Sequence, residues 1–489
     1  MKTAQSICYR GLLWLLALQL ISWALLPGLL VESLPLDVVE GVYWGQEWQW
    51  GYYKHPPLPA WILYLFELAL GDVGPFLLSQ LCIGLTLLCV WHLGCRTLDR
   101  ERAAFGVLAL LGVYFFTWPT IEFNHNVAQM PIWAAAVLFF HRAISQDRWL
   151  NWLLLGLVSG LGLLTKYSYI MLLAPMFLWL IVHPPLRKKL LKPQLWLGVL
   201  VMGLVFLPHL LWLVAHDFLP FSYAAARSAA ASATESRWLG PLKFLLVQLV
   251  DHLPLLLLLL MAGFWRRSCW QRPVEGAAFL FWIGLMPALL TALGAMITGA
   301  GTRDMWGAPM WNLSGLILAS IIPLEVLRER WKRLLWAFAI FLLLLSVLML
   351  LFVGFKDQVR DKPSRTGWPD QALANTLQQQ WLQHTDCPLQ LVAGDYWLAE
   401  TVAINLSPRA SVIPDGDLAL ASWADQARLE QQGGVLIWET KDSRWQLALP
   451  EAGQWDSEGE LSLPWPRLPD LAPLSISWRL WLPQADCSR

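Results

Sequence analysis

Chemistry-bearing side chains are densest in one early stretch of this chain, and two carboxylates open it. Asp37 and Glu40 stand three residues apart in Leu36-Asp37-Val38-Val39-Glu40-Gly41-Val42-Tyr43-Trp44, a spacing that puts both on one face of a short helix. A carboxylate beside aromatic residues, which keep water away, can have a raised pKa and act as a general base. The same spacing suits a capping box, with Asp37 as N-cap and Glu40 as its partner; the two roles are compatible. Gly51-Tyr52-Tyr53-Lys54-His55-Pro56-Pro57-Leu58 follows. Lys54 and His55 offer a cation and an imidazole before a rigid Pro-Pro turn. Such groups suit a phosphate, and equally a lipid headgroup. Tyr52 and Tyr53 are candidate substrate contacts.

Three later segments hold further candidates. Glu122-Phe123-Asn124-His125-Asn126 places four polar side chains between apolar runs. Glu122 and His125, with His55, could ligate a divalent metal, and Asn126 could contact substrate. The alternative is a helix cap made by Asn124 or Asn126. Lys166, at a hairpin tip, reads either as a phosphate contact or as a lysine reaching for water. Arg303, at the start of a helix, could clamp a phosphate or pair locally with Asp304. Asp251-His252 falls near mid-membrane and reads as a structural pair. The Ser/Ala-rich loop 222–240, with Arg227 and Arg237, reads as a mobile segment able to close over a lipid.

The elements that must position these groups are membrane helices. Of the 489 residues, 57% are hydrophobic and 14% charged, against about 45–50% and 25% in soluble domains. The apolar residues come in blocks such as Leu253 to Phe264 and Leu334 to Gly354, and about 18 or more such residues can span a bilayer. The 32 Trp suit a membrane–water interface. A formal net charge of zero gives no reason to expect nucleic acid as a partner. About eleven spans are expected, at roughly 11–30, 73–95, 103–119, 127–144, 152–165, 168–183, 194–215, 241–264, 276–294, 306–325 and 334–354. The first lacks a small-residue cleavage site and reads as a retained helix.

With a cytoplasmic N-terminus, five loops on one side collect the dense basic clusters, as positive-inside bias predicts. They hold Arg96, Arg100 and Arg102; Arg142 and Arg148; Arg187 to Lys192; Arg266, Arg267 and Arg272; and Arg328 to Arg333. The other side receives 31–72, 120–126, 216–240, 295–305 and the tail. The chain therefore reads as a bundle domain over 1–355 and a small outer α/β domain over 356–489. In that compartment Cys387 and Cys487, the two tail cysteines, could form a disulfide.

The Asp37 to Trp61 segment, the acidic turn at Glu122 and the Arg303-to-Trp306 segment together resemble the bacterial relatives of dolichyl-phosphate-mannose protein mannosyltransferases. The lipid A aminoarabinose and galacturonic acid transferases belong to the same group. The resemblance spans roughly residues 10–320 and implies the GT-C fold, a helical bundle in the bacterial inner membrane with its active site on the periplasmic face. It also implies a polyprenyl-phosphate sugar as donor and a lipid, glycan or protein as acceptor. Carried over, Asp37 corresponds to the catalytic base and Glu40 to the second acid; the family usually has the two acids adjacent, whereas Val38-Val39 intervenes here. The aminoarabinose transferases have lysine where this chain has His55, which shifts phosphate binding to Lys54 or points to another sugar. Lys166 and Arg303 complete the expected phosphate ligands. No cofactor is assigned, and a divalent metal could bind. The rival readings are a lipid-linked sugar transporter or flippase, a non-catalytic scaffold, and an oligosaccharide ligase.

Overall fold

The structure, a computed structural model, describes residues 9–232, 237–447 and 455–484. The chain forms two compact units. The first comprises Met1–Leu25, Lys54–Leu58 and Phe76–Val347; the second comprises Leu26–Tyr53, Pro59–Pro75 and Leu348–Arg489. The helix Leu324–Arg360 runs unbroken through position 355.

Among the described residues, seven helices are long and apolar enough to cross a membrane: Tyr9–Leu30, Leu58–Thr97, His125–Gln146, Pro193–Ala215, Leu239–Met261, Ala277–Thr298 and Leu324–Arg360. Two bent pairs raise the number to nine if each counts as one span. They are Arg100–Leu110 with Tyr114–Ile121, bent by 87°, and Tyr167–Val182 with Pro184–Leu191, bent by 111°. Several of the eleven expected spans are thus shorter or broken. Trp149–Thr165 has 17 residues. The stretch expected at 306–325 divides into a 3-10 segment, Asp304–Trp311, and a seven-residue helix, Ser314–Ser320; Pro309 supplies no N–H to continue an α-helical ladder. At Pro184-Pro185 the preceding helix stops for the same reason. Asp251-His252 marks a break between Leu239–Val250 and Leu253–Met261, with His252 Nδ1 bonded back to the Gln248 carbonyl at 2.8 Å. The Ser/Ala-rich loop expected over 222–240 is instead helical across Leu219–Ser232, in keeping with its alanines.

Several of the basic loops of the first unit meet one another. Arg328 bonds Glu101 at 2.7 Å, Arg102 reaches the Ile322 carbonyl, and the Gln271 N–H donates to Ile321. Lys189 pairs with Asp147 at 2.9 Å. Each contact joins two of the basic loops. The opposite set also meets: Asn126 binds Lys166, and Arg237 donates to the carbonyls of Met296 and Ile297.

Helix approach in this unit depends on small residues. A Cβ at Gly156 would lie 2.1 Å from the Gly198 carbonyl oxygen, and one at Gly160 would lie 2.6 Å from Val205. This small-xxx-small spacing brings Trp149–Thr165 against Pro193–Ala215. Gly156→Ala forces the backbones apart, and overpacking of this kind costs about 1–3 kcal/mol. A lowered midpoint of thermal unfolding in detergent checks this; an unchanged midpoint would show that the close approach carries no stability.

The second unit contains a five-stranded sheet of order β2-β1-β3-β5-β4, the strands being β1 (Leu391–Gly394), β2 (Ser411–Pro414), β3 (Gly434–Glu439), β4 (Ser457–Leu463) and β5 (Leu474–Trp481). The first three are mutually parallel and the last two antiparallel. This is the small α/β fold expected of the tail, with the crossover helix Tyr396–Asn405 packed on the parallel strands. The helix Leu36–Glu47 packs on that crossover helix, and Gln46 donates to the Ala410 carbonyl at 2.7 Å. Arg409 grips the buried Glu67 carboxylate through two hydrogen bonds, 2.8 and 2.5 Å, a bidentate geometry that suits a buried pair. Cys387 is disulfide-bonded; Cys487 lies outside the described residues.

Candidate active site

Asp37 and Glu40 lie on the helix Leu36–Glu47, as the spacing predicts. The expected capping box does not form. Pro35 occupies the N-cap, and Asp37 sits inside the first turn. There it stands at the positive end of the helix dipole. Asp37 is half-buried and Glu40 buried. Glycines set the helix against its neighbour: a Cβ at Gly45 would lie 2.3 Å from the Ala60 carbonyl oxygen, and one at Gly41 would lie 2.6 Å from Leu63. The Gly41-to-Gly45 spacing is a sequence signal of that close packing.

Aromatic side chains surround the base of this helix. Tyr52 stacks on Trp44 at 5.0 Å and donates to the Trp44 carbonyl. Tyr53 and Trp44 meet edge to face, and Trp423 packs edge-on against Tyr43 and Tyr52. Trp44 Nε1 donates to the Tyr43 hydroxyl. Tyr52 and Tyr53 are buried within this cluster, so they hold the acid-bearing helix rather than present a free hydroxyl. Burial, followed by the negative charges of Glu400 and Glu40, pushes the Tyr43 hydroxyl well above the usual phenol range. It stays protonated.

In the first unit a second group assembles from four segments. The His55 and His125 rings lie 4.0 Å apart. Lys166 Nζ donates to Asn126 Oδ1 at 2.6 Å, and Gln129 Nε2 donates to the Lys166 carbonyl at 3.2 Å. Lys54 Nζ stands 5.7 Å from the centre of the Tyr223 ring. Asn124 caps the helix His125–Gln146, accepting from the N–H groups of Asn126 and Val127. Asn126 is therefore left to hold Lys166, a contact across 40 positions that nothing in the sequence marks. Gln129, one turn further on, and Tyr223 are the other participants that sequence reading missed.

His55 supplies a neutral imidazole. Desolvation depresses its pKa well below the ordinary value, and the neighbouring His125, Lys166 and Lys54 push the same way. The group thus offers two ammonium ions and an uncharged ring. The linkage has a definite sign: a histidine depressed in the folded state contributes stability that is full above its unfolded pKa near 6.5. That contribution is lost as pH falls toward the folded value. Thermal midpoints in detergent should decline below about pH 6.5, and His55→Gln should flatten part of that decline. An identical slope in the variant would contradict it.

The remaining candidates fall elsewhere. Glu122 follows the 3-10 segment Trp118–Ile121 and is half-buried. Among the described residues no group of three or more His, Cys, Asp or Glu is placed to hold a metal ion, so the expected combination of Glu122, His125 and His55 does not assemble as a ligand set. Arg303 is exposed at the start of Asp304–Trp311. Among the described residues no ion pair joins it to Asp304.

Comparison with known proteins agrees with this architecture. The dolichyl-phosphate-mannose-protein mannosyltransferase family profile matches residues 54–212, the stretch that contributes Lys54, His55, Asn126 and Lys166. The lipopolysaccharide core galacturonosyltransferase RgtA of Rhizobium johnstonii is 25% identical over 469 residues, covering 89% of this chain and 90% of that protein. RgtB of the same organism is 27% identical over 62% of this chain and 63% of its own length. In three dimensions the chain is similar to ArnT from Cupriavidus metallidurans bound to undecaprenyl phosphate, with a TM-score of 0.64, 14% identity and coverage of 96% and 97% of the two chains. Fold, profile and relatives converge on a multi-spanning membrane glycosyltransferase whose fold is similar to that of the GT-C enzymes.

Proposed function

We propose that this chain is an inverting transferase. It moves a sugar from a polyprenyl phosphate to a hydroxyl or phosphate of lipopolysaccharide, on the periplasmic face of the inner membrane. The observation that carries this reading is the group in which Lys54 and Lys166 both act on the neutral His55 ring while Asn126 fixes the Lys166 ammonium. Two cations beside an uncharged donor suit a sugar phosphodiester whose phosphate gains charge as it leaves as a monoester. The acceptor class follows RgtA and RgtB, lipopolysaccharide core galacturonosyltransferases, and the lipid carrier follows the undecaprenyl phosphate bound by ArnT. The side follows from the basic loops, which positive-inside bias assigns to the cytoplasm. The 1–355 bundle then carries donor binding, and the 356–489 domain lies outside.

In this mechanism Asp37 accepts the proton of the acceptor hydroxyl, and the oxygen attacks the anomeric carbon. The bond from that carbon to the phosphate oxygen breaks on the opposite face, and its electron pair leaves with the polyprenyl phosphate. Charge grows on the phosphate as the bond opens, so Lys54 and Lys166 lower the barrier by electrostatic stabilisation. His55 donates one hydrogen bond. Glu40 lies one turn away on the same helix and shapes the field at Asp37. Arg303, exposed, is left for the lipid headgroup region.

Purified protein incubated with a panel of polyprenyl-phosphate sugars, galacturonic acid first, and a lipopolysaccharide core acceptor tests the proposal. Free polyprenyl phosphate should appear in step with sugar on the acceptor. Transfer from a nucleotide sugar instead would overturn it, as would a lack of release across the whole panel.

A further inference from the structure

One face of the sheet in the second unit is thinly covered. The helix Tyr396–Asn405 lies against the parallel strands. Elsewhere the sheet is flanked by the seven-residue helix Gln426–Gln432 and the four-residue Arg444–Leu447, and here the strands present small residues. Ala393 of β1 and Gly434 of β3 stand where their neighbours two positions away, Leu391 and Leu436, carry full side chains. The result is a cleft of about 220 Å³. Its floor is aliphatic. Its walls are three indoles, with Trp445 buried and Trp455 and Trp481 half-buried, the last two edge to face at 5.0 Å. Its mouth is polar: the exposed Asp417 carboxylate, which caps the turn after it by accepting from Ala419 N–H, and the exposed Gln426.

We propose that this cleft binds one pyranose ring of the acceptor glycan, a saccharide subsite distinct from the acids and lysines assigned to transfer. An indole face takes the C–H face of a sugar ring, burying apolar area while the ring hydroxyls project from its edge. Those hydroxyls need acceptors and donors at the mouth, which Asp417 and Gln426 supply. The volume falls below the roughly 300–1,000 Å³ of sites for drug-sized ligands, so it takes one ring and not a chain of several. An acyl chain would fill the floor but leave the polar mouth without a role. The identification of the ring as part of the acceptor rests on the transferase reading above; the binding of a saccharide does not.

The test uses the full chain in detergent and a deacylated lipopolysaccharide core oligosaccharide as probe. Saturation-transfer NMR should show ring-proton signals with the unmodified protein. Trp455→Ala, which alters a half-buried side chain, should reduce them several-fold, and Trp455→Phe should restore part. In turnover assays Trp455→Ala should raise the acceptor KM about tenfold, the equivalent of one lost aromatic contact, with kcat and the donor KM unchanged. Asp417→Asn should give a smaller change in the same direction. Oligosaccharide signals that are absent, or that persist unchanged in Trp455→Ala with thermal stability retained, overturn the proposal, as does displacement of the probe by a fatty acid. Binding without any turnover would retain the subsite and remove the transferase reading instead.

Discussion

Asp37→Asn should reduce kcat by roughly 10²–10⁴-fold, the usual contribution of a general base, while leaving donor affinity within a few-fold of the unmodified protein. The substitution is nearly isosteric. Pro35, not Asp37, occupies the N-cap, and removing the Asp37 charge from the first turn costs about 0.3–1 kcal/mol of helix-dipole interaction. The thermal midpoint of the variant in the same detergent separates a loss of turnover from a loss of fold. Glu40→Gln discriminates the two acids. Glu40 is buried where Asp37 is half-buried, so the assignment gives Glu40→Gln a smaller kinetic effect and a larger effect on stability. Single-turnover rates with prebound donor, together with donor-binding isotherms, separate the two cases. Full activity in both variants would refute the role of this helix.

Lys166→Met should cost roughly 10²–10³-fold in kcat, the scale seen when one preorganised stabilising group is removed. Its local fold should survive, because Gln129 bonds the Lys166 backbone carbonyl, which methionine retains. Lys166→Arg keeps the charge but alters the contact with Asn126, so it should recover part of the rate. Asn126→Leu should weaken the reaction less than Lys166→Met, since it disturbs the position of the ammonium without removing it. If Lys166→Met raised KM alone, with kcat intact, the lysine would be binding ground state and transition state equally, and its role in stabilising the leaving group would fall.

Much of this was legible in the sequence for a simple reason. Apolar runs and basic loops are properties of single segments, and the bilayer imposes them segment by segment. The helix carrying Asp37 and Glu40 was legible from their spacing, and the α/β tail from turn signals such as Pro414-Asp415-Gly416, which closes β2. What failed depended on local proline positions or on partners remote in sequence. The N-cap went to Pro35 rather than Asp37. The 306–325 stretch broke where Pro309 and packing allowed it. Tyr52 and Tyr53 look like ligand-facing groups until Trp44 and Trp423 are seen to enclose them. The bond from Lys166 to Asn126 joins a hairpin tip to the first turn of a helix, which local pattern cannot pair, and the order β2-β1-β3-β5-β4 is likewise set by long-range pairing.

The account depends most on which face of the membrane carries the acids. Gln379→Cys, on the exposed side of the helix Asp370–Leu382, and Lys188→Cys, in a basic loop, report opposite sides. In intact cells with a permeable outer membrane, a membrane-impermeant maleimide should label Gln379→Cys at once and Lys188→Cys only after the inner membrane is opened. The reverse order would put the second unit, with Asp37, in the cytosol and end the case for periplasmic transfer.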